Sequence, residues 1–370
     1  MKGRRLLLAS LDWTRPKDPP LSLGHASLFA NLLKHKVDVK QKSWAVNKQD
    51  FYENDVVSYA MKNANRHTDI ALGAFVWNER PIVKILRKLK ENNFPGKIIL
   101  GGPQISYVKD DVTNYYPDAD IFVRGYGENA LTELYKSSTQ KPVIAGISYK
   151  GEPDLGISAN VELDTLPSPY LTGIIRPQRF IRWETQRGCP FRCSFCQHRE
   201  SDVTMTRRNM PKSRVLAEAE WITNNRIIQD VAILDPTFNS GPQYLDTLQK
   251  LIDGKFSGKL SLQCRLEMVK DEFLDLVNKL NKTGHVVLEF GIQTIHKEEF
   301  QVIQRPNNVK KIVEILNKTN SMGIETEISL IFGLPNQTLE SFKSSVYFCK
   351  NLNVSRIYAF PLMLLRGTPL

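Results

Sequence analysis

Three of the five cysteines, Cys189, Cys193 and Cys196, sit on one stretch with the spacing C-x3-C-x2-C, directly after a strand-like segment. Three thiolates on a short loop can each bind a different iron of a cubane iron–sulfur cluster. A fourth thiolate is not at hand: no cysteine precedes Cys189 and the next is Cys264. One iron is then left open for a substrate or cofactor. Two other readings stay open on spacing alone. His198 could complete a Cys3His zinc site, or the three thiols could be structural. Gly188 permits a sharp exit from the strand, and Pro190 stiffens the loop. His198 is otherwise a solvated loop histidine or a substrate contact. Cys264 and Cys349 fall in apolar patterns and read as buried structural thiols.

The elements that must position this loop follow from periodicity. Strands are expected at 180–186, 230–235, 260–266, 286–293, 324–332 and 354–360, with helices at 212–224, 242–253, 270–280, 309–322 and 339–352. Six βα units fit a partial parallel barrel, and an open sheet is the alternative. Side-chain parity favours a barrel with a polar lumen. Leu260, Leu262, Cys264 and Leu266 alternate with Ser261, Gln263, Arg265 and Glu267; Leu288, Phe290 and Ile292 alternate with Glu289, Gly291 and Gln293. Successive strand residues face opposite ways, so one set packs on helices and the other lines a cavity. Tyr358, on the last strand, reads as a core aromatic or a hydrogen donor to a radical.

The first 150 residues show a separate alternation: strands at 5–11, 37–44, 69–77, 97–102 and 119–124, helices at 21–35, 49–64, 79–92 and 127–137. This is the pattern of a doubly wound, Rossmann-like α/β domain. A Pro-, Gly- and Ser-rich stretch follows. The expected division is a Rossmann-like domain at 1–149, a linker at 150–179 and a barrel at 180–370.

C-x3-C-x2-C with an aromatic, Phe195, before the last cysteine resembles the signature of the radical S-adenosylmethionine (SAM) superfamily. The resemblance implies a partial (β/α)6 barrel and a 4Fe–4S cluster on Cys189, Cys193 and Cys196. It implies that the open iron chelates the amino and carboxylate groups of SAM, and that the reduced cluster cleaves SAM to a 5′-deoxyadenosyl radical. Other segments extend it. Asp235-Pro236-Thr237-Phe238-Asn239 resembles the site for the SAM amino group, without the usual Gly-Gly-Glu. Glu289 to Gln293 resembles the ribose segment, Ile331 to Pro335 the glycine segment beside the adenine, and Gly367-Thr368-Pro369 the closing segment. The implied SAM-binding set is Phe195, Asp235, Arg265, Glu289, Gln293, Ile331 and Gly333. No catalytic acid or base is implied.

An α/β domain ahead of such a barrel resembles the cobalamin-binding (B12) branch of the superfamily. Gly101-Gly102-Pro103 closes a strand, as does the branch's glycine pair that meets the corrinoid tail. Gly73 to Phe75 lies about where its S-x-L segment sits. Arg124 to Glu128 resembles G-E-G-E, with Tyr126 for a Glu. The implied cobalamin-binding set is Asp12, Thr14, Gly73, Phe75, Gly101, Gly102, Pro103, Gly125, Gly127 and Glu128. The cobalt-ligating pattern D-x-H-x-x-G is absent: Thr14 stands in place of the histidine, and His25 falls on a helix. Cobalamin is then bound without a histidine on cobalt, or the domain is a scaffold that has lost the cofactor. The absence of cysteines before Cys189 excludes a methylthiotransferase.

The formal charge is +11, but the basic residues are scattered rather than clustered with aromatics, so nucleic acid is not expected as a partner. No apolar run is long enough for a membrane span. The basic, briefly apolar start is broken by Asp12 and reads as a buried strand of a cytoplasmic protein rather than a signal peptide. The implied function is a cobalamin-dependent radical SAM methyltransferase acting on an unactivated carbon of a small molecule or peptide. Its reductant would be of the flavodoxin or ferredoxin kind. The alternatives are a radical SAM enzyme of non-methylating rearrangement, cyclisation or ring contraction, and a non-catalytic cobalamin- or iron–sulfur-binding protein.

Overall fold

The computed structural model describes residues 3–198 and 207–370. The chain divides into two compact units, Met1–Ile175 and Arg176–Leu370.

The first unit runs β1 (Arg5–Asp12), α1 (Leu23–Lys34), β2 (Val39–Ala45), α2 (Glu53–Asn63), β3 (Thr68–Gly73), α3 (Glu79–Glu91), β4 (Ile98–Gly101), α4 (Pro103–Ser106), β5 (Ile121–Val123), α5 (Gly127–Lys136) and β6 (Ile147–Tyr149). Its sheet order is β2-β1-β3-β4-β5-β6, parallel except for β6, which pairs antiparallel with β5. Alternate residues of one strand feed opposite cores. Leu7, Ala9 and Leu11 of β1 pack with Val56, Ile82 and Ile85 of α2 and α3. Leu6 and Leu8 pack with Leu32, Leu131 and Leu134 of α1 and α5. A strand buried on both faces must be apolar at both parities, which is what Leu6-Leu7-Leu8 supplies. The fold is therefore doubly wound, with its switch point between β1 and β3.

The strand expected over 69–77 stops at Gly73. The reason is Asn78: its amide donates to Leu11 O and Gly73 O (both 2.9 Å) and accepts from Phe75 N (2.7 Å). One buried side chain thus takes the bonds a continued ladder would have used. The short β6 had no distinct signal in the sequence. Residues 150–175 add no helix or strand beyond a bridge from Ala159 to Gly125 and lie in the first unit.

The second unit runs β7 (Phe180–Trp183), β8 (Gln186–Arg187), β9 (Arg208–Asn209), α6 (Lys212–Asn224), β10 (Asp230–Ile233), α7 (Tyr244–Asp253), β11 (Lys259–Cys264), α8 (Asp271–Thr283), β12 (His285–Gln293), α9 (Lys297–Val302), α10 (Val309–Ser321), β13 (Glu325–Phe332), α11 (Leu339–Asn351) and β14 (Arg356–Pro361). The six-stranded sheet is wholly parallel and keeps chain order, β14-β13-β12-β11-β10-β7. Right-handed crossovers between neighbours taken in order put every helix on one face, and that is the partial barrel rather than a doubly wound sheet. Parity follows. Leu260, Leu262, Leu288 and Phe290 are buried, while Ser261, Glu289, Gly291 and Gln293 keep partial exposure and Gln263 is exposed. Tyr358 is 40% exposed and stacks on Phe360. It is no core aromatic, because β14 is an edge of the sheet. No described helix is long and apolar enough to cross a membrane.

Candidate active site

Every loop at the carboxyl edge of the second sheet contributes to one polar region. The cysteine loop leaves β7, whose Trp183 is fixed by donating from its indole to Glu218 (2.7 Å), a buried carboxylate also held by Arg214 (2.8 Å). After β7 the chain is gripped by Asp235. Its carboxylate accepts from the backbone of Thr185 (2.8 Å) and Gln186 (3.1 Å) and from the Thr185 hydroxyl. Asp235 has no exposure, and burial pushes its pKa up to about 7 against the pull of the bonds from Thr185 and Gln186. A carboxylate taking three donors fixes the entry to the loop. β8 and β9 then pair, and Gly188 turns the chain at φ +75°.

All three loop cysteines are free thiols. Cys189 Sγ lies 3.5 Å from the Thr237 hydroxyl. Cys193 is buried. Burial pushes the Cys196 thiol up to about 11, partly offset by the His198 N–H, 3.4 Å from the sulfur. His198 itself is exposed. The loop is docked by Ser194, which donates from its N–H to Ile303 O (2.9 Å) and from its hydroxyl to Val302 O (3.1 Å). Gln197 donates to Arg366 O, and Leu370 N to Ser194 O. Phe195 packs beside Ile303, Ile331 and Leu334. Cys264 and Cys349 are buried away from solvent, and burial raises both thiol pKa values.

Two arginines face this loop. Arg265, 5% exposed, lies with its guanidinium 4.0 Å over the Phe191 ring, a cation–π contact that joins the end of β11 to the cysteine loop. Its backbone is clamped by Asn239, which accepts from Arg265 N and donates to Arg265 O. Nε donates to Glu267 and Nη2 to Pro306 O, but the buried Nη1 has no partner. Burial lowers the Arg265 pKa, as does the neighbouring Arg305. Arg305 follows α9, donates to Cys193 Sγ (3.6 Å) and Gly291 O, and leaves its own buried Nε unpartnered. Orphaned buried donors are uncommon and call for an acceptor.

At the end of β12 the register with β13 shifts between Gly291 and Gln293. Gln293 has φ +70° and turns its amide back over Gly291, where a side chain would meet it at 2.5 Å. A bulge of this kind re-aims a side chain. Asn307 donates to Ile292 O and Thr294 O, holding the connection that carries Arg305 against the same strand end.

The segment after β13 hangs on a buried carboxylate. Glu299, 2% exposed, accepts from Thr294 Oγ1, from Ser341 Oγ and from Gln337 Nε2 (3.2 Å). Gln337 in turn donates to Ile331 O (3.0 Å) and accepts from Gly333 N (2.7 Å). Ile331 and Gly333 are thus held through one amide. Glu289 lies on the lumen parity of β12, in register with Gln263 and Glu327.

The carboxyl edge of the first sheet gathers most of the residues expected to bind cobalamin. Asp12 closes β1 with Thr14 just past it, Gly73 closes β3 with Phe75 just past it, Gly101 closes β4 ahead of Gly102 and Pro103, and Gly125 lies between β5 and Gly127 at the start of α5. Thr14 is tied through its backbone to Asn47 in both directions (2.9 and 2.8 Å). Ser106 donates to Gly102 O, and Gly125 N donates to Ser106 Oγ, joining two glycine turns. A Cβ at Gly102 (φ +95°) would stand 2.7 Å from Ala74 O. The glycine is therefore required by the chain's own crossing of Ala74, before any ligand is considered. Glu128 points elsewhere: it is buried and accepts from Ser27 Oγ (2.9 Å) in the packing of α1 on α5. His25 is buried against Gln41 (3.3 Å).

The donor chemistry of the cysteine loop fits an iron–sulfur cluster. Three free thiols are offered, and a backbone N–H and a guanidinium N–H already point at two of the sulfurs. Among the described residues no three or more His, Cys, Asp or Glu side chains stand close enough to hold a single metal ion. Several residues that shape this site carry no sequence signal. Arg305, Glu299, Gln337 and Phe191 follow no spacing rule and are brought in by tertiary contact.

Residues 183–349 match the radical SAM superfamily. The chain is 27% identical over 328 residues to the 2-(S-pantetheinyl)-carbapenam-3-carboxylate methyltransferase of Streptantibioticus cattleyicolor, covering 80% of this chain and 47% of that one. It is 27% identical over 305 residues to the cobalamin-dependent radical SAM methyltransferase TokK of Streptomyces tokunonensis, covering 75% and 44%. The chain thus spans less than half the length of these two relatives. In fold it is similar to the radical SAM methyltransferase TsrM of Kitasatospora setae, at a TM-score of 0.77 and 16% identity over 99% of this chain and 75% of that one. It is also similar to the cobalamin-dependent radical enzyme OxsB, at 0.74 and 17% over 93% and 51%.

Proposed function

We propose that this chain, a member of the radical SAM superfamily, is a cobalamin-dependent methyltransferase that acts on an unactivated carbon of a small molecule or peptide. The observation that carries the reading is the cysteine loop itself: three free thiols at the carboxyl edge of a partial barrel, faced by the buried Arg265 and the half-buried Arg305, each with one buried donor unsatisfied. When bound, a 4Fe–4S cluster with SAM supplies a carbon-centred radical, and cobalamin supplies a transferable methyl group.

The chain's own residues do the positioning. Cys189, Cys193 and Cys196 hold the cluster. Asp235 acts through Thr185 and Gln186, setting the path of the loop rather than meeting SAM directly. Arg265 Nη1 and Arg305 Nε are free to receive the SAM carboxylate. Gln293 and Glu289 lie where the ribose is expected, and Ile331 and Gly333, held through Gln337, offer backbone to the adenine. Phe195 serves by packing under that segment. In the first unit, the turns at Gly73, Gly101–Pro103 and Gly125–Gly127 form the crevice for the corrinoid tail, where doubly wound sheets take ligands. Glu128 supports α5 from behind. A cytoplasmic setting with a flavodoxin- or ferredoxin-type electron donor completes the reading.

The test is the spectrum of bound corrinoid. Thr14 replaces the histidine, and His25 is committed to Gln41. Cob(II)alamin bound to the anaerobically reconstituted chain is expected to show a base-off signal without nitrogen splitting of the cobalt lines. Splitting from an imidazole would overturn the Thr14 assignment. Failure to bind any corrinoid would leave the first unit a scaffold and favour radical chemistry without methyl transfer.

A further inference from the structure

Among the described residues Arg305 has no counter-ion. None of the described carboxylates pairs with it, and its nearest polar partners are Gly291 O and the sulfur of Cys193, 3.6 Å from Nη1. The sulfur is buried: Cys193 is 7% exposed. The residue is held on several sides. Its N–H donates to Phe300 O (2.9 Å), its Nη2 grips the strand end at Gly291, and Asn307 anchors the same connection to Ile292 and Thr294. The cysteine loop reaches the same connection, through Ser194 to Val302 and Ile303. Sulfur and guanidinium are therefore fixed by one set of contacts. A second cation, Arg265, lies close enough to oppose Arg305. Two like charges held together, one buried and one half-buried, are costly unless negative charge accompanies them.

The reduction potential of an iron–sulfur cluster is set by its net charge, its exposure and the hydrogen bonds to its sulfurs. A positive charge beside one buried ligand sulfur favours the state with one more electron, and partial burial of the charge enlarges that effect. A charge-assisted N–H bond to the thiolate acts in the same direction by withdrawing electron density. We propose that Arg305 is a positioning residue for the redox chemistry of the cluster: through its bond to Cys193 it raises the cluster's potential, so that a one-electron carrier protein can reduce it. This rests on the reading of the cysteine loop as a cluster site.

The experiment uses the full-length chain, reconstituted anaerobically, as wild type, Arg305→Lys and Arg305→Gln. Iron and sulfide content is measured first, and the midpoint potential is then taken by electron paramagnetic resonance during a redox titration. Glutamine keeps an N–H but loses the charge. The expected result is unchanged cluster content with at least a tenfold shift of the reduction equilibrium towards the oxidised form in Arg305→Gln, which is about 59 mV for one electron. Arg305→Lys should fall between Gln and wild type. A Gln variant with full cluster content and a potential within twofold of the wild-type equilibrium would overturn the proposal. Loss of the cluster from both variants would overturn it too, by making Arg305 a purely structural clamp. A wild-type chain that takes up no iron and sulfide would instead sink the cluster reading beneath it.

Discussion

Asp235 shows how burial decides a residue's task. By resemblance it belongs beside the SAM amino group, where its loss would harm SAM binding more than the cluster. In the structure its carboxylate is closed off and its bonds go to Thr185 and Gln186, at the mouth of the cysteine loop. Asp235→Ala would strand three donors, at a cost of about 1–3 kcal/mol for each buried group left unsatisfied. The expected outcome is that iron content and SAM binding fall together. Iron assay and equilibrium dialysis on one preparation check this, and intact iron with weakened SAM would restore the direct contact. His25 gives a second prediction at this scale. Burial lowers its pKa to about 4, against an ordinary value of 6.5, and the Gln41 contact opposes this only weakly. With the folded pKa below the unfolded one, the unfolded chain takes up the extra proton. Stability is therefore full above about pH 6.5 and declines as pH falls towards about 4. Denaturant melts across this window should show a slope that His25→Gln reduces.

At the scale of elements, the loop after β13 depends on a neighbour far away in sequence. Glu299 on α9 holds Gln337, and Gln337 holds the backbone of Ile331 and Gly333. Glu299→Ala removes the acceptor of three donors. SAM affinity should drop about tenfold, the equivalent of roughly 1.4 kcal/mol, while cluster content stays near wild type because the cysteines are docked by other contacts. Equal loss of both would mean that α9 as a whole had come loose.

The same example marks the limit of what the sequence discloses. Strand parity in β11 and β12 was legible because alternation is a local property of neighbouring residues. The cysteine spacing was legible because the ligands share one loop. Glu299 lies in Lys297-Glu298-Glu299-Phe300, which reads like any solvated first turn of a helix, and only the packing of Ser341 and Gln337 against it makes it a hub. Arg305 is likewise one basic residue among many until the fold brings Cys193 to it. Glu128 shows the other direction. Its motif assigns it to a cofactor, but the contact of α1 with α5 turns it to Ser27. The end of β3 moved for a similar reason, since Asn78 captures backbone groups from two strands.

Taken as a whole, the chain carries two six-stranded sheets, one wholly parallel and one parallel but for β6, each with most of its candidate residues at or just past the carboxyl ends of its parallel strands. Doubly wound and barrel folds share this arrangement because the loops there are free of the core and can carry chemistry. The chain spans less than half the length of the two methyltransferase relatives, and those proteins' substrates are not carried over to it.

Everything proposed for this chain depends on the loop of Cys189, Cys193 and Cys196 binding a cluster that cleaves SAM. The most direct measurement is the release of 5′-deoxyadenosine when the anaerobically reconstituted chain is incubated with SAM and a one-electron reductant, quantified by mass spectrometry. Release is expected in the wild type and in Cys264→Ala, and none in Cys189→Ala, Cys193→Ala or Cys196→Ala. A chain that carries its full cluster and is reduced, yet leaves SAM uncleaved, would contradict it.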